Sequence, residues 1–211
     1  MRSPARRRLT LGPGRTGTWK VIVIAAAIAF LGLALTAKLG NVSGVERQAY
    51  VEVLEETTEA GHIPFRVVNH LGDAWGLVPI ALIALAAMPS DVCPRWWLWL
   101  GTMVGAGTFE VLGKAFVGRS RPLGQAPGFP SGHVTAAAAF FVMVGYLATK
   151  AIPTRAGRTA VWVVATLSIV LVATARIALR AHWPLDVLGG AALGIACGGA
   201  AAWWNEAQPR E

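Results

Sequence analysis

The chain has 211 residues, 55% of them hydrophobic and only 14% charged, and its mean hydropathy is positive. Charged residues make up about a quarter of an ordinary soluble domain, so this composition excludes one and calls for burial in lipid. The formal net charge of +8 sits in an N-terminal tail and at the ends of apolar runs, which orients a membrane protein and does not point to nucleic acid.

In chain order, "MRSPARRRLTLGPGRTGTWK" (1–20) is a basic tail like the charged start of a signal peptide. The apolar run behind it is long and ends in "LTAKLG" without a small-residue cleavage site, which predicts a retained helix. Six spans are expected, over about 21–38, 72–88, 96–113, 133–149, 159–179 and 185–204. Pro79 interrupts the second, as membrane helices tolerate when neighbours satisfy the freed carbonyl. Between the first two spans, Val45, Ala49 and Val53 recur at helical spacing, with Glu52, Glu55, Glu56 and Glu59 elsewhere and Gly61 as a stop. Residues 45–60 are therefore read as an interfacial helix on the outer leaflet, with a solvated acidic loop as the alternative. Cys93, beside a predicted loop, and Cys197, in an apolar run, indicate neither a disulfide framework nor a zinc site. The expected fold class is all-α: a polytopic membrane protein of six transmembrane helices with an outer-face interfacial helix. Residues 21–211 form a single membrane-embedded domain behind the tail at 1–20.

A cytoplasmic N-terminus puts Arg2, Arg6, Arg7, Arg8, Arg15, Lys20, Arg95, Lys150, Arg155, Arg158 and Arg210 inside, as the positive-inside rule requires. An even number of spans returns the C-terminus to the same side. The expected location is the plasma membrane, multi-pass, with both termini cytoplasmic. Left outside are Lys38, Arg47 and Arg66 and a second group: Lys114, Arg119, Arg121, Arg176 and Arg180.

The second group lies in two loops. "GKAFVGRSRPLGQAPGFPSGH" (113–133) and "ARIALRAHWPLDVLGG" (175–190) are separated by a hairpin of two spans, so they emerge on one side in either orientation. The first offers Lys114, Arg121, Ser131, Gly132 and His133; the second offers Arg176, His182 and Asp186. A helix N-terminus with arginine forks around it is an anion site. Two histidines beside a bound phosphate can divide its displacement, one attacking phosphorus and the other protonating the leaving oxygen. Asp186 follows His182 by four residues, with Pro184 suited to the first turn of the sixth span. Its carboxylate can then hold one imidazole nitrogen and leave the other free. Taken singly, each residue has a plainer reading. Lysines and arginines at helix ends ordinarily snorkel to headgroups, and an aspartate in a first turn ordinarily caps it. The combination is what points to chemistry.

Three blocks carry a family resemblance. Lys114 is followed by Arg121-Pro122, then comes Pro130-Ser131-Gly132-His133, then Arg176, His182 and Asp186 at intervals of six and four. In this order and spacing they resemble the type 2 phosphatidic acid phosphatase superfamily, membrane lipid phosphate phosphatases that share a site with vanadium haloperoxidases. The resemblance covers about 110–190. It implies that His182 is the nucleophile, forming a phosphohistidine, with Asp186 orienting it. It implies that His133 is the acid for the leaving group and then the base that activates water. Lys114, Arg121, Ser131, Gly132 and Arg176 would hold the phosphoryl oxygens. Glu110, four residues before Lys114, and Arg119 are candidates for support, Glu110 by holding Lys114 toward the phosphate. One departure stands out: Ala175 occupies a position where the family commonly has serine.

This scheme calls for no cofactor and no metal. The expected partners are a lipid phosphate substrate and the membrane lipids, not nucleic acid. The leading substrate is a polyprenyl diphosphate such as undecaprenyl diphosphate, with phosphatidate and phosphatidylglycerol phosphate also fitting a site at headgroup depth. The rival class is a non-catalytic membrane protein that binds or transports lipid phosphates. A haloperoxidase, typically soluble, fits six spans poorly.

Overall fold

The computed structural model describes residues 14–40, 42–58, 61–87 and 96–208. Among them lie α1 (Gly14–Leu39), α2 (Gly44–Thr58), α3 (His62–Asn69), a 3₁₀ turn (His70–Gly72), α4 (Ala74–Ala87), α5 (Trp96–Val117), α6 (Gly132–Ala151), α7 (Arg155–Ala178) and α8 (Pro184–Ala207). The all-α class expected from composition and periodicity is what folds. The β contact described is an isolated bridge between Ser120 and Pro127. Cys93, Glu59, Arg95, Arg210 and the arginines of the first thirteen positions lie outside the described residues.

Four helices, α1, α6, α7 and α8, are long and apolar enough to cross a membrane, and the bent pair α3–α4, turning by 56°, brings the number to at most five. The expected count of six is therefore not reached by length and apolarity. The difference lies in α5, whose 22 residues span about 33 Å at 1.5 Å per residue. Its three tryptophans, four glycines, Glu110 and Lys114 keep it short of the apolarity that marks the other four as spans.

α6 and α8 form the centre of the bundle. In their most apolar windows 72% and 56% is buried, against 17% for α1 and 22% for α7. The outer helices instead expose Ile28, Leu31, Val163, Val164 and Leu167, the side chains that acyl tails cover in a bilayer. α8 approaches α6 closely because Gly190, Gly194 and Gly198 repeat every four residues along one face. A Cβ at Gly194 would stand 2.4 Å from the Thr135 main-chain oxygen and 2.6 Å from Ala138 Cβ. Aromatic contacts close the end of the bundle away from the charged loops: Trp19 meets Tyr146 edge-on at 5.6 Å and Trp97 meets Trp204 at 5.4 Å.

The segment between α1 and α4 corrects the sequence reading twice. α2 is a helix, not an acidic loop, but Val45 is 80% exposed, and the buried residues are Glu46 and Tyr50. The inward face runs Glu46, Tyr50, Val53 and Leu54, so a carboxylate occupies the position that an apolar count passes over. α3 was not anticipated at all. Its Pro64 lies in the first turn, where no helical hydrogen bond is lost, and Val68 and Leu71 pack on the core.

From α5 to α8 successive helices run antiparallel, across the long 118–131 loop and two short connections. The C-terminal ends of α5 and α7 and the N-terminal ends of α6 and α8 therefore meet at one end of the bundle, where α2 and the α3–α4 corner also pack.

Candidate active site

α6 starts at Gly132 with Ser131 as its N-cap, and no side chain caps the first turn. Its unpaired N–H groups and positive dipole end thus face the 118–131 loop. The Ser131 N–H donates to the main-chain oxygen of Asp186 at 2.9 Å, which ties the head of α6 to the head of α8. A Cβ at Gly132 would stand 2.8 Å from Glu110 Oε1, so a side chain there would displace that carboxylate. Glu110 pairs with Lys114 one turn further along α5, as the four-residue spacing predicts.

At the head of α8, Pro184 takes the first helical position. Asp186 is fully buried; its Oδ2 accepts from the Trp183 N–H at 3.0 Å and lies 3.3 Å from His182 Nδ1. A proton on Nδ1 leaves Nε2 with the free lone pair. Burial holds the His182 pKa below its ordinary value; the hydrogen bond that the ring donates to Asp186 opposes the shift, and the charges of Arg176 and Arg121 add to it. A neutral ring at pH 7 is the form that can attack an electrophile.

The cations converge from three other elements. Arg176, in the last turn of α7, donates from Nη1 to Asn69 Oδ1 at 2.7 Å, and its main-chain oxygen accepts from the N–H groups of Ala181 and His182. Arg121 donates from Nε to the Pro127 oxygen at 3.2 Å and lies within electrostatic reach of Arg176 and His182. His133 stands within the same reach of Arg176, His182, Lys114 and Asp73. All eight residues named for catalysis or phosphate binding are thus brought to one end of the bundle. Ser131 Oγ and Arg176 Nε are buried there with no hydrogen-bond partner. Buried donors in that condition are costly unless something accepts from them. Such a set can seat a tetrahedral oxyanion between two imidazoles.

Arg119 touches that group through Asp186, and Arg180 turns away from it. Arg119 Nη2 donates to Glu46 Oε2 at 2.5 Å, and its Nη1 lies 3.6 Å from Asp186 Oδ1. Arg180 faces Tyr50 electrostatically. Ala175 is fully buried. Among the described residues no group of three or more His, Cys, Asp or Glu is placed to hold a metal.

Sequence reading missed five contributors. Asn69 at the end of α3 and Gly72 in the 3₁₀ turn press on the site: a Cβ at Gly72 would stand 2.8 Å from the His133 oxygen. Asp73 caps α4 through the N–H groups of Trp75 and Gly76, a role legible from an aspartate ahead of an apolar run. Gly128 passes over Asp186, and its Cβ would fall 2.7 Å from Oδ2. Glu46 lies in a different part of the chain and in no motif.

Comparison with known proteins agrees with this geometry. The family model described as "PAP2 superfamily" matches residues 123–210, which leaves Lys114 and Arg121 just upstream. Phosphatidylglycerophosphatase B of Bacillus subtilis (strain 168) is 32% identical over 139 residues, 61% of this chain and 67% of that protein. The crystal structure described as the first transmembrane PAP2 type phosphatidylglycerolphosphate phosphatase, from Bacillus subtilis, superimposes with a TM-score of 0.75 at 22% identity. That likeness, which concerns the fold, covers 89% of this chain and 98% of the other. With a curated relative matched over two thirds of its length, a family model on the second half and a transmembrane fold in common, the chain belongs to the PAP2 superfamily and is a membrane phosphatase.

Proposed function

We propose that the chain dephosphorylates a membrane lipid through a phosphohistidine on His182. The observation that carries this reading is the set of unpartnered donors, Ser131 Oγ and Arg176 Nε, buried beside the uncapped head of α6 and the His182–Asp186 pair. In the first step His182 Nε2 attacks phosphorus in line, while Asp186 accepts from Nδ1–H and stabilises the charge that develops on the ring. His133 gives its proton to the departing oxygen. Lys114, Arg121, Arg176, Ser131 and the first N–H groups of α6 hold the other phosphoryl oxygens as the transition state spreads charge over them. In the second step His133 takes a proton from water, the water oxygen displaces His182, and inorganic phosphate leaves.

The substrate favoured by the curated relative's name is phosphatidylglycerophosphate; undecaprenyl diphosphate, the leading expectation from sequence, is the comparator. The two differ in a useful way. An alcohol leaving from a monoester needs a proton more than a phosphate leaving from a diphosphate does. In this reading residues 21–211 work as one domain with six crossings, α4 and α5 supplying the second and third, and α2 lies at the outer surface beside the site.

A phosphate-release panel in detergent tests the scheme. His182→Ala abolishes release on every lipid and traps no phosphoprotein. His133→Ala slows phosphoenzyme formation from phosphatidylglycerophosphate by about 10²–10⁴-fold, and much less from undecaprenyl diphosphate. Water attack slows equally for both, so labelled diphosphate leaves trapped phosphoprotein. Equal loss of phosphoenzyme formation on both substrates would remove the acid role from His133, and phosphate release by His182→Ala would remove the nucleophile.

A further inference from the structure

A chain of buried charges leads from α2 to the proposed nucleophile. Glu46 is 5% exposed, far from the reacting groups in sequence, and grips two elements of the site. Its Oε2 accepts from Arg119 Nη2 at 2.5 Å, and its Oε1 accepts from the Leu185 N–H at 3.0 Å, in the first turn of α8. Arg119 in turn stands with Nη1 at 3.6 Å from Asp186 Oδ1, and Asp186 Oδ2 lies 3.3 Å from His182 Nδ1. Around this line Trp183 packs its ring on Tyr50 of α2 at 4.8 Å and donates from Nε1 to the Ser120 oxygen at 3.2 Å. Glu46, Arg119 and Asp186 are all buried along this line.

Asp186 has two suitors, the Arg119 guanidinium and the His182 Nδ1–H. If Arg119 paired with it fully, the carboxylate would turn toward the guanidinium and its hold on His182 would weaken. Glu46 competes for that guanidinium at much shorter range, 2.5 Å against 3.6 Å. Three charges of alternating sign in a buried site also avoid the large cost of an uncompensated ion. We propose that Glu46 is a positioning residue for the phosphatase: by engaging Arg119 and the head of α8, it keeps Asp186 available to His182. The proposal rests on His182 being the nucleophile.

The test uses purified full-length protein in detergent. Glu46→Gln preserves size and the acceptor for the Leu185 N–H while removing the charge. It lowers kcat about tenfold, the scale of one lost charge-assisted contact. KM and inhibition by inorganic phosphate stay within about twofold, because Lys114, Arg121, Ser131 and Arg176 are untouched. The double variant Glu46→Gln/Arg119→Gln removes both members of the Glu46–Arg119 ion pair and leaves Asp186 its hydrogen bonds to His182 and the Trp183 N–H, so it reads the proposal even where the single variant fails to fold. Its kcat equals that of Arg119→Gln alone, because Glu46 acts through Arg119. A Glu46→Gln protein with full kcat, a loss confined to KM, or a double variant slower than Arg119→Gln overturns the role of Glu46. Wild type and His182→Ala in the same assay separate this from the wider reading. An inactive wild type, or an active His182→Ala, overturns the phosphatase mechanism and with it this role.

Discussion

Gly132 and Glu110 explain each other. A carboxylate this near a phosphate site repels the substrate unless its charge is absorbed, and Lys114 absorbs it one helical turn away. The pair fits because position 132 carries no Cβ, which would stand 2.8 Å from Glu110 Oε1. Under the proposed mechanism Glu110 aims the ammonium of Lys114 at the phosphoryl oxygens. Glu110→Gln leaves Lys114 mobile, and turnover falls several-fold, about the worth of one partly exposed ion pair in positioning. Steady-state kinetics on the favoured lipid check this, and unchanged kcat and KM would remove the idea. The Glu110–Lys114 spacing was legible in the sequence because helical neighbours at four residues touch whatever else the fold does. The reason for Gly132 was not, since it depends on a side chain from another helix.

At the scale of elements, the site depends on how closely α8 lies against α6. Gly190, Gly194 and Gly198 let the two backbones meet, and so set the distance from His133 at one helix head to His182 and Asp186 at the other. Gly194→Val inserts a branched side chain where a single Cβ already falls 2.4 Å from the Thr135 oxygen. Overpacking of this kind costs about 1–3 kcal/mol and moves helices apart. A lower Tm in detergent together with loss of phosphate release is the expected result; an unchanged Tm would show that the interface yields without cost. The four-residue glycine repeat was visible in the sequence, whereas its partner surface on α6 was not. α2 shows the opposite failure. Counting apolar residues selected the face with Val45, yet a buried ion pair drew the Glu46 face inward. A pattern built on hydrophobicity has no means of anticipating a carboxylate stabilised by an arginine more than seventy residues away.

For the whole molecule, the testable quantity is which side the site faces. The positive-inside distribution favours cytoplasmic termini, with the 118–131 loop and residues 179–183 outside. Gln125 is exposed in that loop. With Cys93 and Cys197 replaced by serine, Gln125→Cys is expected to react with an impermeant thiol reagent in intact cells. Labelling only after the membrane is broken would reverse the orientation.

The sequence by itself determined the class, the long helices and the eight residues that gather at one end of the bundle. Those are consequences of local spacing and of hydrophobicity, which are written along the chain: apolar runs of span length, a proline at the head of α8, an aspartate four residues from a histidine. Only the tertiary structure decided that Arg119 turns to Glu46, that Asn69 and Gly72 press on the site from a short helix and the turn that follows it, and that Gly128 and Gly132 make room for carboxylates. Each of these joins groups distant in sequence. Burial makes such pairings strong, because a charge or donor withdrawn from water must find its partner in whatever segment the fold brings beside it.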